Sequence, residues 1–172
     1  MGIPDGIKLE RHRDLGGVRG PWGRRVLLCC VAVLPVLALL NVFGQHPSTS
    51  TAAGPAASLS VTAPTRLRSG LIFEVKVEVV AHRAIKQPEI VFAEGWWESM
   101  SVNSIVPEPS ESSSRDGRIV LTYDKLEAGQ SLVSRLYFQV NPTNVGKRDE
   151  SVELDDGETP LASMHRSLTI FP

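Results

Sequence analysis

The sequence has few cysteines and few aromatic residues. Its 172 residues include two cysteines, Cys29 and Cys30, and only 6% are Phe, Trp or Tyr. Adjacent cysteines cannot join distant segments, so a disulfide-stabilised scaffold is excluded. The formal net charge of -1 excludes a dominant nucleic-acid-binding surface. With 42% hydrophobic and 22% charged residues, the composition is globular and excludes wholesale disorder.

The motifs of several enzyme and metal-site classes are also missing. The chain has no nucleophile elbow, Cys/His pair, Ser-x-x-Lys or phosphate-binding loop. Zinc needs three or four converging ligands, whereas the chain after residue 58 has two histidines, His82 and His165, and no cysteine. We therefore predict no catalytic residue, no metal and no cofactor. Because catalytic triads are defined by geometry, a Ser/His/carboxylate cluster at hydrogen-bond distance would reopen the question of an enzyme.

The acidic residues between Asp149 and Glu158 form the densest cluster of like charge in the chain. Acidic loops of sandwich proteins bind calcium in some cases, but the spacing of an EF-hand is absent. Asp156-Gly157 is sufficient to form a hairpin turn. A solvated acidic hairpin is preferred over a calcium site.

One uncharged apolar run covers residues 26–43. As a helix it would be roughly 27 Å long, close to the ~30 Å hydrocarbon core of a bilayer, and it has no polar stripe. Basic residues precede the run, and none follows before Arg66. The positive-inside rule then predicts a cytoplasmic tail at residues 1–25 and an extracytoplasmic chain from Gly44 onward. A retained plasma-membrane anchor is preferred, and a cleaved signal peptide is the alternative.

Residues 44–58 have small and polar side chains, two prolines and no charge, which predicts a flexible linker. Residues 59–172 then form the exported domain. Apolar and charged residues alternate along 73–79 and along 135–140, which is typical of strands with one buried face. Shorter candidate strands are 59–63, 89–93, 100–106, 118–123, 151–154 and 164–171, and residues 107–117 are predicted to be a mobile polar loop.

Seven or eight short strands separated by turn residues indicate a mostly β chain, with one N-terminal transmembrane helix followed by an antiparallel β-sandwich. Three phrases carry a resemblance to a known group: LSVTAPTRLRSGLIFEVKVEV, LEAGQSLVSRLYFQVNPTNVG and VELDDGETPL followed by RSLTIFP. In these phrases the chain resembles small single-span membrane proteins of actinobacteria with an immunoglobulin-like exported domain. The resemblance implies an immunoglobulin-like sandwich and a membrane location, and no catalytic residues.

The candidate binding residues are Trp96 and Trp97, with Asn141 and Asn144 in the polar turn 141–146. If the tryptophans lie in a strand, one faces the core and the other faces outward as an anchor for a partner. The alternatives are that both tryptophans pack inside and that turn chemistry alone explains the asparagines.

The predicted function is a non-enzymatic, membrane-anchored interaction or accessory module. Its partners would be the lipid bilayer, through residues 26–43, and a membrane or cell-envelope protein. The alternative function is binding of a cell-wall polymer on a tryptophan platform.

Overall fold

The computed structural model of the chain describes residues 19–40 and 45–172. Most of the predicted cytoplasmic tail, the end of the predicted membrane span and the first residue of the predicted linker lie outside the described residues. The chain divides into two compact units, Met1–Gly44 and Gln45–Pro172.

The described part of the first unit is one helix, α1 (Arg19–Leu39), with Pro35 inside it. Its stretch Trp22–Leu39 is long and apolar enough to cross a membrane. The prediction of a single long apolar helix is therefore confirmed, although α1 begins before the uncharged run and includes Arg24 and Arg25. Proline is tolerated inside the helices of membrane proteins because neighbouring groups can satisfy the freed backbone carbonyl.

The second unit, Gln45–Pro172, consists mainly of strands. They are β1 (Pro47–Ala53), β2 (Ala57–Pro64), β3 (Arg66–Arg68), β4 (Ile72–Ala81), β5 (Pro88–Phe92), β6 (Met100–Val106), β7 (Glu111–Arg115), β8 (Arg118–Thr122), β9 (Ser131–Val140), β10 (Gly146–Asp149), β11 (Val152–Asp156), β12 (Thr159–Met164) and β13 (Ser167–Phe171). A single 3₁₀ turn at Glu94–Trp96 follows β5. The predicted mostly β class with an N-terminal helix is confirmed, with more strands than expected.

The strands form two five-stranded sheets and one smaller sheet. The first sheet has the order β1-β2-β4-β9-β6, and the second has the order β12-β11-β5-β8-β7. The third has three strands in the order β10-β13-β3, and within Gln45–Pro172 the β3–β13 pair is the parallel one. The buried apolar side chains of the two larger sheets form one shared core, so the domain is a β-sandwich.

Alternation along β4 and β9 places one face of each strand in this core. Phe73, Val75 and Val77 are buried, whereas the charged residues between them point outward. The register pairs Phe73 with Phe138, and their rings stack with centroids 5.6 Å apart. The predicted alternation of apolar and polar residues therefore matches the alternation of buried and exposed side chains in the central strands of the first sheet.

The prediction of a flexible linker at residues 44–58 is wrong for 47–53 and 57–58, which lie in strands. Pro47–Ala53 is strand β1, which pairs with β2 along its whole length, from Pro47↔Pro64 to Ala53↔Ser58. The hydroxyl groups of Thr49 and Thr62 are hydrogen-bonded across this pair at 2.8 Å. Small polar side chains suit this position because an edge strand gains backbone hydrogen bonds while it buries little apolar surface.

Residues 111–117 of the predicted mobile loop at 107–117 also form regular structure. Glu111–Arg115 is strand β7, which forms a hairpin with β8 at the edge of the second sheet. Asp116 and Gly117 both have positive φ, at 53° and 77°, as a two-residue hairpin turn requires. The turn expected at Asp116-Gly117 is confirmed, but one of the two strands that it joins is not predicted by the sequence.

Candidate functional site

The two candidate tryptophans do not lie in a strand. Trp96 ends the 3₁₀ turn after β5, and Trp97 follows it. Trp96 is fully buried, and its indole Nε1 donates to the carbonyl of Ser151 at 3.3 Å. Trp97 is half-buried, with its ring centroid 5.3 Å from that of Phe138 and 6.1 Å from that of Phe92. The reasoning that one indole faces outward from a strand is wrong, because successive residues of a turn do not point to opposite faces.

Both indoles instead pack against the same aromatic cluster. The centroid of Trp96 lies 5.8 Å from that of Phe92 and 5.6 Å from that of Phe138. Neither indole stands out from the surface as the stacking platform that carbohydrate binding requires. The role of Trp97 in recognition stays a prediction, and the main contribution of Trp96 is to the core.

The turn is held close to β10 by a glycine. A Cβ atom on Gly95 would contact the backbone carbonyl oxygen of Asp149 and would lie 2.7 Å from its backbone nitrogen. Because these are backbone atoms, they cannot rotate away from a larger residue. Gly95 is therefore needed for the position of both tryptophans.

The candidate asparagines lie at the same end of the sandwich as the tryptophans. Asn144 is buried, and its Nδ2 donates to the carbonyl oxygens of Glu98 and Ser99 at 3.0 and 3.2 Å. Its Oδ1 accepts a hydrogen bond of 2.6 Å from Arg148 Nη2. Asn141 is exposed, and its carbonyl accepts from the backbone N–H of Asn144 at 2.9 Å. The structure brings the predicted residues together, with Asn144 holding the turn to the segment after Trp97.

A Ser/His/carboxylate cluster is present between β10 and β13. The hydroxyl of Ser151 donates to Asp149 Oδ1 at 2.6 Å and lies 3.1 Å from His165 Nδ1. In a catalytic triad the histidine lies between the serine and the acid, whereas here the serine lies between the other two. Asp149 Oδ1 also accepts from the backbone N–H of Ser151 at 3.0 Å, so the carboxylate closes a local turn. In this arrangement Asp149 binds the serine and not His165, so the acid cannot orient the histidine as a base for the serine hydroxyl.

A buried acid, Glu150, and a buried base, Arg166, lie next to this cluster. Glu150 is fully buried, and neither of its carboxylate oxygens has a hydrogen-bond partner. Burial raises the pKa of Glu150 to about 8, against the opposing charge of Arg166. Burial also lowers the pKa of Arg166, which Glu150 partly offsets. Sequence reasoning missed both residues, because the surrounding acidic run is typical of a solvated hairpin.

The buried side chain of Arg166 is hydrogen-bonded to the first sheet. Its guanidinium donates to four oxygen atoms of the first sheet: the carbonyls of Ser48, Val61 and Ala63, and the hydroxyl of Ser50, at 2.7 to 3.2 Å. These residues belong to β1 and β2. Arg166 therefore fastens the edge strand β1 to the rest of the sandwich.

The second sheet carries a network of charges, which we call the charged face and define by Glu89, Arg115, Arg118, Glu153 and Asp155. Arg115 Nη2 lies 3.1 Å from Glu89 Oε2 and 3.3 Å from Asp155 Oδ2, and Arg118 Nη1 lies 2.6 Å from Glu153 Oε2. Burial raises the pKa of Asp155, and the charge of Arg115 opposes this rise. The face borders a cleft of about 230 Å³. Among residues 19–40 and 45–172, no group of three or more His, Cys, Asp or Glu side chains could hold a metal ion.

These observations define a β-sandwich protein with one long apolar helix before the sandwich. No protein-family model matches the chain. No curated protein matches it either.

Two solved structures resemble the chain at low identity. The solution structure of CaCohA2 from Clostridium acetobutylicum is 12% identical with a TM-score of 0.46, covering 69% of this chain and 92% of that one. A non-cellulosomal cohesin from the hyperthermophilic archaeon Archaeoglobus fulgidus is 10% identical with a TM-score of 0.41, covering 66% and 91%. The assignment of the fold rests on the strand pairing of this chain.

Proposed function

We propose that the chain is a single-pass plasma-membrane protein whose β-sandwich acts outside the membrane as a non-enzymatic interaction module for another membrane or envelope protein. Helix α1 supplies the anchor, because Trp22–Leu39 is long and apolar enough to cross a bilayer. Six basic residues lie before residue 26 and none lies between 26 and 65, which supports a cytoplasmic N-terminus.

The observation that carries this proposal is the short separation in sequence between the apolar helix and the first strand of the sandwich. Strand β1 begins at Pro47, only a few residues after the end of α1, and it is hydrogen-bonded to β2 along its length. A folded body attached so closely cannot search far from the membrane. Its partner therefore has to be available at the membrane surface.

The charged face is the surface that we assign to the partner. Arg115, Arg118 and Glu153 are partly exposed, with side-chain exposures of 40%, 43% and 36%, and each is already held by an ion pair. Charges that are fixed before binding lose little conformational entropy when a complementary surface arrives. Such complementarity contributes mainly specificity and association rate.

Anchoring and orientation are tested with the full chain in cells. The protein should stay in the membrane pellet after extraction at alkaline pH and should be digested when protease is added to intact cells. Release into the supernatant would exclude the anchor, and protection from protease would exclude the orientation.

Partner binding is tested with a photo-reactive amino acid on each large sheet. Ser113 lies in β7 two residues from Arg115, so both share one face of the second sheet. Ser131 is an exposed residue of the first sheet and provides the matched control. Irradiation of native membranes should give a product of discrete mass from position 113 and none from position 131, and Arg118→Glu should reduce it. Equal products from both positions, or none from either, would contradict the assignment.

A further inference from the structure

Exposed apolar side chains of the sandwich concentrate at one end. Within Gln45–Pro172 the large, exposed hydrophobic residues are Leu71, Ile72, Val106, Val145 and Phe171, with 40 to 57% of their surface accessible. All except Val106 lie at the end where β4 begins and β9 ends. We call Leu71, Ile72, Val145 and Phe171 the apolar end.

Backbone contacts join the members of this group. The backbone N–H of Val140, at the end of β9, donates to the carbonyl of Leu71 at 3.0 Å. The backbone N–H of Ser69 donates to the carbonyl of Phe171 at 2.8 Å. Gly146 pairs with Ile170, so the preceding Val145 lies beside Phe171. The four side chains therefore come from neighbouring segments.

Basic residues share a face with Phe171 on the third sheet. The register pairs Phe171 with Arg68, and pairs Thr169 with both Arg66 and Lys147. Directly paired residues, and residues two apart in a strand, point to the same face. Arg66, Arg68 and Lys147 are exposed, and we call these three residues the basic face.

Few acidic groups oppose the basic face. Within Gln45–Pro172 no Asp or Glu side chain forms an ion pair with any of the three. Arg68 Nε donates to the main-chain oxygen of Pro172 at 3.3 Å. Arg66 and Lys147 line a cleft of about 440 Å³ that also contains His165 and the buried Arg166. This local excess of positive charge contrasts with the domain as a whole, where 12 basic and 16 acidic residues between Leu59 and Pro172 give a net charge of -4.

The chain enters the sandwich at the same end. The side-chain amide Nε2 of Gln45 donates to the carbonyl of Ile72 at 3.0 Å. Only four residues lie between Gln45 and Leu40, the last described residue of the first unit, and the five steps between them reach at most about 18 Å when fully extended. If α1 spans the membrane, the apolar end is therefore held within a short distance of the bilayer.

We propose that the apolar end and the basic face together bind the outer lipid surface of the membrane and seat the sandwich on it. The four apolar side chains enter the interfacial region, and the three cations contact anionic headgroups. Amphipathic surfaces bind membranes by this combination of buried apolar area and attraction to anionic lipid. The proposal rests on the proposed single-pass anchoring and adds a second, non-covalent contact that fixes the orientation of the sandwich.

The full chain, reconstituted in vesicles, provides the test. In a Cys29→Ser/Cys30→Ser background, single cysteines at Val145→Cys or Phe171→Cys carry a fluorophore, and the lipids carry a quencher in their headgroup region. The matched control is Val106→Cys, since Val106 is at least as exposed as Val145 and Phe171 but lies at the far end of β6. We expect quenching at positions 145 and 171 to exceed that at position 106 severalfold in vesicles with about one-third anionic lipid.

Reversal of the basic face then tests the contribution of charge. Arg66→Glu/Arg68→Glu/Lys147→Glu should lower quenching at position 171 towards the value at position 106, because each cation near an anionic surface contributes on the order of a fivefold gain in binding. An unchanged far-ultraviolet circular-dichroism spectrum shows that the variant is folded. If the triple variant is misfolded, quenching at position 171 is instead compared between anionic and neutral vesicles, using protein that keeps Arg66, Arg68 and Lys147. Quenching should then be lower in the neutral vesicles.

The outcomes separate this proposal from the proposed function. Equal quenching at positions 106, 145 and 171, in protein that resists alkaline extraction, would overturn lipid seating and leave the anchor intact. Release of the protein by alkaline extraction would instead contradict the proposal that α1 anchors the chain in the membrane. A change in fluorescence at positions 145 and 171 that appears only when a second protein is added would assign this end to a protein partner. That result would also overturn the proposal.

Discussion

Glu150 offers the most direct test of the electrostatics inside the sandwich. Its carboxyl group is fully buried, and burial raises its pKa from 4.5 to about 8. Between these two pH values the folded chain holds a proton that the unfolded chain has released. The free energy of unfolding must then fall as the pH rises from about 4.5, and this loss is complete above about 8.

The size of the effect follows from the pKa difference. A rise of roughly 3.5 in pKa, at 1.36 kcal/mol for each unit, corresponds to about 5 kcal/mol. Glu150→Gln keeps the shape of the protonated acid and removes the ionisation. We expect the variant to match the parent protein at pH 4 within about 1 kcal/mol, and to be more stable at pH 9 by up to about 5 kcal/mol.

Urea unfolding of residues 45–172 at pH 4, 7 and 9 measures this difference. Glu127→Gln is the matched control, since Glu127 is exposed and pairs with Lys125 at 2.7 Å. Its replacement should change the free energy of unfolding by less than about 0.5 kcal/mol at each pH. If the difference between the Glu150→Gln variant and the parent does not change with pH, the carboxyl group ionises normally and the argument is refuted.

Three further substitutions test the packing of the sandwich by urea unfolding. Trp96→Ala removes a fully buried indole and should cost about 3–5 kcal/mol, so a loss below about 1 kcal/mol would contradict its place in the core. Tyr123→Phe removes the 2.7 Å hydrogen bond to the buried hydroxyl of Ser134 and should cost about 1–2 kcal/mol; no loss would show that this bond adds nothing. Gly95→Ala forces a Cβ atom against the backbone of Asp149 and should cost about 1–3 kcal/mol, whereas a stable variant would contradict that close approach.

The sequence allows the central strands to be predicted but not the edges. In β4 and β9 the side chains alternate between core and surface, so apolar and polar residues alternate with a period of two in the sequence. Strands β1 and β7 lie at sheet edges and bury little, so PSTSTAA and ESSSR show no apolar pattern. Their pairing depends on backbone hydrogen bonds, to which any residue with an N–H group can contribute.

The candidate site shows a similar division. The sequence draws attention to Trp96 and Trp97, but the 3₁₀ turn that sets their directions depends on contact with a distant strand, β10. In the sequence Glu150 is one acid of a charged run, and only the folded structure shows that it is buried near Arg166. The apolar end is assembled from segments far apart in the chain, so no local pattern could predict it.

The pairing of β1 with β2 has a mechanical consequence. A force applied to the chain before Pro47 would act at the open end of the β1–β2 ladder. If that force runs along β1, the rungs from Pro47↔Pro64 to Ala53↔Ser58 would bear the load together, in shear. A force directed across the strand would instead open the ladder one rung at a time. The direction in which the chain leaves Pro47 thus decides how strongly β1 resists such a force.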